Sequence, residues 1–161
     1  HDIPNTINQS IQGLKLLPIK MLTVHVSGGV QMMKAAVEGV KDSDIQVFGV
    51  TALTSLSDAD SKSIFQRNVA LQVGAMLDLA QEAGIHGVVC SPHELGLVSK
   101  INSLLSITPG IRMQNSQDDQ KRVMTPKEAI DLGADYLVIG RPITSSTDIK
   151  KSFNEIYESI L

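Results

Sequence analysis

Two arginines of the sequence each follow closely on a glycine. The first ends the run Pro109-Gly110-Ile111-Arg112, and the second lies in Gly140-Arg141-Pro142. Glycine lets backbone N–H groups approach an anion closely, and a guanidinium group adds a planar fork that fits phosphate oxygens. Pairing of each arginine with a surface carboxylate is the alternative. Because the arrangement occurs twice, we predict a phosphate site at Arg112 and Arg141.

A polar segment, Met113 to Arg122, lies between Arg112 and a predicted helix start at Thr125. It is long for a loop between a strand and a helix, and such loops are usually functional or disordered. One interpretation is a lid that closes over a ligand and excludes water, with Gln120 among the side chains that reach the ligand. The other interpretation is a mobile loop without a function.

Hydroxyl, imidazole and carboxylate groups also follow predicted strands. Thr54 and Ser55 offer hydroxyls that could bind the amide edge of a heterocycle, although capping a turn is the commoner role. His25, at the end of its strand, is the best imidazole for acid–base chemistry, and a structural role is at least equally consistent. Asp2, two residues before Pro4, is either a functional carboxylate or the N-cap of the next helix.

The chain has one cysteine, Cys90, close to His93. The motif lacks a third group to orient the imidazole, so it indicates a thiol nucleophile only weakly. A single cysteine can form neither an internal disulfide nor a multi-thiolate metal site, which suits a reducing cytosol. No spacing of His, Asp or Glu residues suggests a metal site.

Five short apolar runs must position these residues, and each is followed by a helical stretch. Near-continuous apolar runs are typical of parallel strands that are buried on both faces. The predicted strands are Ile19 to Val26, Ile45 to Thr51, Gly87 to Cys90, Leu104 to Thr108 and Tyr136 to Ile139. The clearest helix is Arg67 to Ala83, which has one apolar stripe and ends at Gly84.

Two further helices carry recognisable patterns. An apolar stripe with helical spacing comprises Met32, Met33, Ala36, Val37 and Val40. The run Thr125-Pro126-Lys127-Glu128 predicts an N-cap, followed by proline and then an acidic residue in the first turn.

Alternating strands and helices predict an α/β fold with a parallel sheet, either doubly wound or closed as a (β/α)8 TIM barrel. We favour the barrel, because Ser27-Gly28-Gly29 lacks the spacing of a dinucleotide-binding turn. About five C-terminal β/α units are present. Since the chain opens at His1 without an initiator Met, we expect residues 1–161 to form a single domain, the C-terminal part of a barrel whose first strands lie upstream.

Composition excludes several classes of function. The 161 residues are 42% hydrophobic, 3% aromatic and free of tryptophan, with a net charge of −3. A nucleic-acid partner is disfavoured by the acidic balance and the scarcity of aromatic rings for base stacking. No apolar run approaches the roughly 18 residues of a membrane span, and no signal peptide opens the chain. We therefore predict a soluble, cytoplasmic protein without a membrane partner.

Several of these segments together resemble a known family in the order in which they occur. The start of the chain resembles the end of the Asp-x-Lys-x-x-Asp-Ile-x-Asn-Thr signature of orotidine 5′-monophosphate decarboxylase, and four later runs look like the bacterial form of that enzyme. The matching runs are Asp2-Ile3-Pro4-Asn5-Thr6, Val50-Thr51-Ala52-Leu53-Thr54-Ser55, Thr108-Pro109-Gly110-Ile111-Arg112, Asp119-Gln120-Lys121-Arg122-Val123-Met124-Thr125-Pro126 and Val138-Ile139-Gly140-Arg141-Pro142-Ile143-Thr144.

The resemblance implies a homodimeric barrel that removes CO₂ from orotidine 5′-monophosphate to give UMP, without metal or cofactor. The family's chemistry uses an Asp-Lys-Asp-Asp array in which the lysine protonates C6. Asp2 matches the last carboxylate of that array, which acts in the neighbouring subunit's site together with the Ile3 and Thr6 side of the turn. The lysine half of the signature would lie before His1.

The resemblance also implies the substrate contacts. Arg112, Arg141 and the Gly140 N–H would hold the phosphate, and Gln120 would bridge from the lid to the phosphate and the pyrimidine. Thr54 and Ser55 would meet the base side of the nucleotide, so the resemblance favours the lid and base-binding interpretations. The alternatives are a non-catalytic nucleotide-phosphate binding remnant and a related sugar-phosphate decarboxylase barrel, which would usually use a metal ion.

Overall fold

The computed structural model describes residues 1–113 and 124–161. Five parallel strands form one sheet in which every strand pairs with its neighbours in the sequence. They are β1 (Met21–His25), β2 (Gln46–Val50), β3 (Gly87–Val89), β4 (Leu105–Thr108) and β5 (Tyr136–Leu137). All five predicted strands are confirmed, each one or two residues shorter at one or both ends. Single backbone hydrogen bonds continue the pairing just beyond three of them, as from Val138 N to Thr108 O at 2.9 Å.

Helices alternate with the strands. They are α1 (Pro4–Leu14), α2 (Val30–Gly39), α3 (Asp58–Phe65), α4 (Val69–Ala83), α5 (Leu95–Val98), α6 (Pro126–Asp131), α7 (Arg141–Thr144) and α8 (Ile149–Glu158). Short 3-10 turns, Val26–Gly28 and Pro92–Glu94, precede α2 and α5. Among the described residues, no helix has the length and apolar character needed to cross a membrane.

The helix predicted over Arg67 to Ala83 is confirmed as α4. It begins at Val69 because the Asn68 side chain accepts a hydrogen bond from Leu71 N at 2.9 Å, which satisfies one of the free N–H groups of the first turn. It ends at Gly84, whose φ of +70° lies in the left-handed region that glycine tolerates. The predicted stripe is buried in the core: Val69, Val73, Met76, Leu77 and Ala80.

The two other helix patterns are also confirmed. In α2, Met32, Met33 and Ala36 are buried. Thr125 caps α6 in a reciprocal arrangement, in which its hydroxyl accepts from Glu128 N and the Glu128 carboxylate accepts from Thr125 N. The Thr125 hydroxyl also donates to the Glu128 carboxylate, and this bond, together with the one from Thr125 N, lowers the pKa of Glu128 below its ordinary value.

The two faces of the sheet differ in how they are covered. On the outer face, Val24, Val47 and Val88 are at most 5% exposed, and they share one apolar core with the buried residues of α2 and α4. The inner face carries Phe48 of β2 and Tyr136 of β5, whose rings meet edge to face with centroids 6.2 Å apart.

This contact joins side chains of two strands that are not neighbours, since β3 and β4 lie between them. The Phe48 ring lies against Gly87 of β3, where an added Cβ would come within 2.5 Å of it. The absence of a side chain at Gly87 therefore leaves room for the two rings to meet.

Candidate active site at the carboxyl ends of the strands

The two arginine loops leave neighbouring strands at the same edge of the sheet. The last residues of β4 and β5, Thr108 and Leu137, are paired in the parallel register. Arg112 and Arg141 each lie four residues beyond this pair. The carboxyl ends of adjacent parallel strands meet at one edge, and this is where barrels of this type carry their functional groups.

The loop that carries Arg112 is held by backbone geometry. Gly110 is buried and has a φ of +83°, a conformation that strains residues with a side chain. Arg112 N donates to Met124 O at 3.0 Å, and Met124 N donates to Gly110 O at 3.3 Å. Together with the parallel bridge between Ile111 and Met124, these bonds clamp both ends of the segment that follows Arg112.

The side chain of Arg112 is buried, with 6% of the residue exposed. Its Nη1 donates to the Ile111 carbonyl at 2.8 Å. A buried guanidinium group is costly to desolvate unless hydrogen bonds satisfy its donors. Sequence reasoning selected Arg112 by its type and spacing, and the structure adds that its backbone is hydrogen-bonded to Met124 and that the residue is buried.

Arg141 has a different environment. It is exposed and forms the first residue of α7, directly after Gly140. The position where Gly140 would carry a Cβ is open space, with no atom within 4 Å. The Gly140 carbonyl accepts from Ile143 N and Thr144 N at 2.9 and 3.0 Å, which fixes the turn. The pair of arginines thus consists of one buried and one exposed guanidinium group.

Asp2, Ile3 and Thr6 are exposed at the start of α1. The Asp2 carboxylate accepts from Ile3 N at 2.7 Å. Ile3 occupies the N-cap position of α1 without a side-chain cap, so the alternative in which Asp2 itself is the N-cap does not hold. Asp2 borders a surface depression that is also lined by Gly28, just after β1. The structure therefore places this carboxylate beside the carboxyl end of a neighbouring strand.

Thr54 and Ser55 lie in a turn after β2, where Leu56 N donates to Leu53 O at 3.0 Å. Thr54 is half-buried and Ser55 is exposed. Capping of the following helix, α3, is done by Ser57, whose hydroxyl accepts from Asp60 N. Thr54 and Ser55 therefore do not cap α3. Gln120 falls outside the described residues.

Glu94 is a buried polar group that sequence reasoning missed. The residue is 4% exposed, and its carboxylate accepts from Ser91 N at 2.8 Å to close a reciprocal cap. The sequence signal was the Ser91-x-x-Glu94 capping pattern, which indicates a turn but not burial. Burial raises the pKa of the Cys90 thiol to about 12, and the nearby Glu94 charge contributes in the same direction, while the Thr108 side chain acts against it.

His93 and His25 lie in different surroundings. His93 is exposed whereas Cys90 is 1% exposed. The His25 ring lies 5.9 Å from the ring of His1. Over residues 1–113 and 124–161, no group of three or more His, Cys, Asp or Glu side chains is placed to hold a metal ion.

The Cys90 thiol is expected to resist thiol reagents in the native protein. Burial keeps it protonated and inaccessible, so at pH 8 a disulfide reagent should label it only at the rate of unfolding, and should label it fully in denaturant. Because the folded-state pKa lies above the ordinary 9.0, folding stability falls as pH rises from about 9 toward about 12. The absorbance of the product that the disulfide reagent releases measures the rate at which Cys90 is labelled. Rapid labelling without denaturant would contradict the burial.

Comparison with known proteins gives one consistent family. The sequence model of the family described as "Orotidine 5'-phosphate decarboxylase / HUMPS family" matches residues 1–156. An orotidine 5'-phosphate decarboxylase from Wolbachia pipientis subsp. Culex pipiens is 45% identical over 163 residues, which cover 99% of this chain and 72% of the relative. The orotidine 5'-phosphate decarboxylase of Staphylococcus saprophyticus is 42% identical over 168 residues, which cover 100% of this chain and 73% of the relative.

Solved structures of proteins from this family resemble the fold of this chain. The crystal structure of the orotidine 5'-phosphate decarboxylase from Lactobacillus acidophilus superposes with a TM-score of 0.84 at 35% identity, covering 99% of this chain and 71% of that one. The structure of the Pyrococcus horikoshii protein superposes with a TM-score of 0.75 at 21% identity, over 99% of this chain and 69% of that one. At this identity the likeness supports the fold alone. These neighbours are TIM barrels, so the chain contains five β/α units of that fold. The chain belongs to the orotidine 5'-phosphate decarboxylase / HUMPS family, as the match to the family model and the identity to its relatives show.

Proposed function

We propose that this chain carries the phosphate-binding loops and one active-site carboxylate of an enzyme that decarboxylates orotidine 5′-monophosphate to UMP in pyrimidine biosynthesis. The family membership supports the reaction. The observation that carries the site is the paired end of β4 and β5, since Arg112 and Arg141 follow it at equal distance. A nucleotide phosphate at this edge would meet both guanidinium groups.

In this proposal Arg112 and Arg141 bind the phosphate together with the Gly140 N–H. The buried Arg112 supplies a fixed charge, because its backbone is clamped by Met124. The exposed Arg141 supplies a second charge from the start of α7. Phosphate binding lies far from the reacting carbon, so its binding energy can drive closure of the site over the substrate. Gln120 would contribute from the segment between the two loops.

Asp2 is proposed as one carboxylate of the Asp-Lys-Asp-Asp array. The C–CO₂ bond at C6 breaks, CO₂ leaves, and the electron pair that remains on C6 takes a proton from the lysine ammonium supplied by the array. A fixed anion near the substrate carboxylate and an ammonium near C6 favour a transition state whose charge has moved toward the lysine. The hydrogen bond that the Asp2 carboxylate accepts from Ile3 N at 2.7 Å supports this role, because it orients the carboxylate.

The remaining contacts concern the base and the partner subunit. Thr54 and Ser55, which do not cap α3, are proposed to meet the base side of the nucleotide. Asp2, Ile3 and Thr6 are all exposed, as residues that reach into a neighbouring subunit's site must be, and we propose that they do so in a homodimer. We propose a cytoplasmic enzyme that uses neither metal nor cofactor.

The Arg141→Ala variant tests the phosphate site. It removes a charge-assisted contact to phosphate, so UMP affinity should fall about tenfold or more, while uridine binding should change less than about twofold. Titration calorimetry with the two ligands measures both affinities. Because Arg141 is exposed, the thermal midpoint of the variant should match that of the parent.

Lys20→Ala is the matched control, since this exposed lysine precedes β1 at the opposite end of the strands and pairs with Asp44 at 3.0 Å. It should leave UMP affinity unchanged. If Arg141→Ala lowered the affinities for UMP and uridine equally, the assignment of Arg141 to the phosphate would be contradicted. Ribose 5-phosphate that binds as tightly as UMP would instead favour a sugar-phosphate substrate.

A further inference from the structure

Two charged side chains are buried in the part of the chain that the structure describes, and their charges are opposite. Glu94 is 4% exposed and Arg112 is 6% exposed. Taking a charge out of water is costly unless hydrogen bonds and an opposite charge offset the cost. The proposed function gives Arg112 a role in phosphate binding, but it leaves the buried carboxylate of Glu94 without a role.

The Glu94 carboxylate is held in place by its own turn. It accepts a hydrogen bond from Ser91 N at 2.8 Å, and the Ser91 hydroxyl accepts one from His93 N at 3.3 Å. Leu95, which follows directly, is buried in the apolar core. The turn is therefore anchored on both sides of Glu94, and the negative charge has a fixed place just beyond the carboxyl end of β3.

This carboxylate lies close to the end of β4, where the loop of Arg112 begins. Cys90 N donates to Ile107 O at 3.1 Å, so Cys90 continues the pairing of β3 with β4 and lies beside Thr108, the last residue of β4. Burial is the main cause of the raised pKa of the Cys90 thiol, but the Glu94 charge also raises it and the Thr108 side chain lowers it. Glu94, Cys90 and Thr108 thus form one buried cluster.

Arg112 lies at the far end of the short loop that leaves this cluster. Between Thr108 and Arg112, the buried Gly110 turns the chain with a φ of +83°. Arg112 N donates to Met124 O at 3.0 Å, which fixes the backbone from which the guanidinium group extends. The carboxylate and the guanidinium group are therefore buried on the loops of two neighbouring strands. Because both are buried, the attraction between their charges is screened less than it would be at the surface.

A second cap of the same kind shows that capping alone does not require a buried carboxylate. Glu128 accepts from Thr125 N at 2.9 Å, as Glu94 accepts from Ser91 N, and both caps are reciprocal. Glu128 is nevertheless exposed. The cap needs the carboxylate oxygen but not its removal from water, so the burial of Glu94 calls for a second reason. The buried positive charge of Arg112 provides one.

We propose that Glu94 is a positioning residue of the phosphate site, whose buried negative charge holds the Arg112 guanidinium group in the orientation that binds phosphate. Glu94 acts through Arg112 and does not touch the ligand. The inference rests on the proposed function, because it adds Glu94 to the site at which Arg112 binds a nucleotide phosphate.

Glu94→Gln tests this role, since glutamine keeps an oxygen that can accept from Ser91 N and removes only the charge. UMP affinity should fall about tenfold, whereas uridine affinity should change by less than about twofold, because the loss acts on the phosphate contact. Titration calorimetry measures both affinities. Glu94→Asp retains the charge and should bind UMP more tightly than Glu94→Gln.

The double variant Glu94→Gln/Arg112→Met separates positioning from a purely structural role. If Glu94 acts through Arg112, adding Glu94→Gln to Arg112→Met should change UMP affinity by less than about twofold, because the effects of interacting residues do not add. A residue that only maintains the fold would lower the affinity in both backgrounds. If Glu94→Gln alone folds poorly, the double variant should have the higher urea midpoint, since both buried charges are then removed together.

Glu128→Gln is the matched control, because it removes an exposed carboxylate from the same kind of cap. It should change UMP affinity by less than about twofold, since exposed charges are screened by water. The role of Glu94 is refuted if Glu94→Gln binds UMP as tightly as the parent, weakens UMP and uridine equally, or has the same effect in the Arg112→Met background. A poorly folded Glu94→Gln that Arg112→Met does not improve refutes it too.

The outcomes also separate this inference from the proposed function. If Arg112→Met weakens UMP binding and Glu94→Gln does not, the phosphate site stands and only the role of Glu94 is refuted. If Arg112→Met binds UMP as tightly as the parent, Arg112 does not hold the phosphate, and the role of Glu94 is refuted with it.

Discussion

Alanine in place of Gly87 should lower the free energy of unfolding by about 3 kcal/mol or more, since overpacking at a rigid site is strongly destabilising. A Cβ at Gly87 would lie 2.4 Å from the Leu105 carbonyl oxygen and 2.5 Å from the nearest atom of the Phe48 ring. The first contact is with backbone of the paired strand, which cannot rotate away. Urea unfolding monitored by circular dichroism measures the change.

Gly74→Ala is the matched control for Gly87→Ala. Gly74 lies within α4, and an added Cβ would meet no atom within 4 Å. Alanine should stabilise the helix by about 0.5 to 1 kcal/mol, because the unfolded chain loses conformational freedom. The two variants should therefore shift the urea midpoint in opposite directions. A Gly87→Ala protein as stable as its parent would show that β3 and β4 are not packed as described.

Arg112→Met is expected to reduce UMP affinity by about 10- to 100-fold, the range for loss of a charge-assisted contact in a dry site. Methionine retains much of the buried stem while it removes the guanidinium group. The Ile111 carbonyl also loses its 2.8 Å donor, so the free energy of unfolding should fall by about 1 to 3 kcal/mol. Calorimetric titration with UMP and urea unfolding measure the two effects.

Arg112→Lys separates charge from geometry at the same position. Lysine keeps the positive charge but cannot offer the planar fork, so its UMP affinity should lie between those of the parent and Arg112→Met. If Arg112→Met bound UMP as tightly as the parent, Arg112 would be a structural arginine, and the phosphate would have to be held elsewhere.

The sheet and its helices were predictable because their signals are local. A parallel strand buried on both faces must be apolar throughout, as in the run that became β2. The caps at Thr125 and the glycine end of α4 are also local, since the groups involved lie within one turn of each other. The ends of strands were less predictable, because Thr51 and Cys90 still donate to a neighbouring strand after the chain has begun to turn.

Features that depend on distant contacts could not be found in this way. Arg112 is buried next to Met124, twelve residues further along the chain, and the pKa of the Cys90 thiol is raised chiefly by burial within the folded core. The exposure of Phe153 and Tyr157 on α8 could not be predicted from the sequence either. Apolar periodicity indicates that a helix face needs a partner, but it does not identify the partner.

The clamp between Ile111 and Met124 also affects how the gene can vary. Both ends of the intervening segment are joined by backbone hydrogen bonds next to Arg112, so the loop is closed at its base whatever number of residues it contains. The position of the guanidinium group is therefore set by residues 110–112 and 124, and we expect it to hold when the number of residues between Arg112 and Met124 changes.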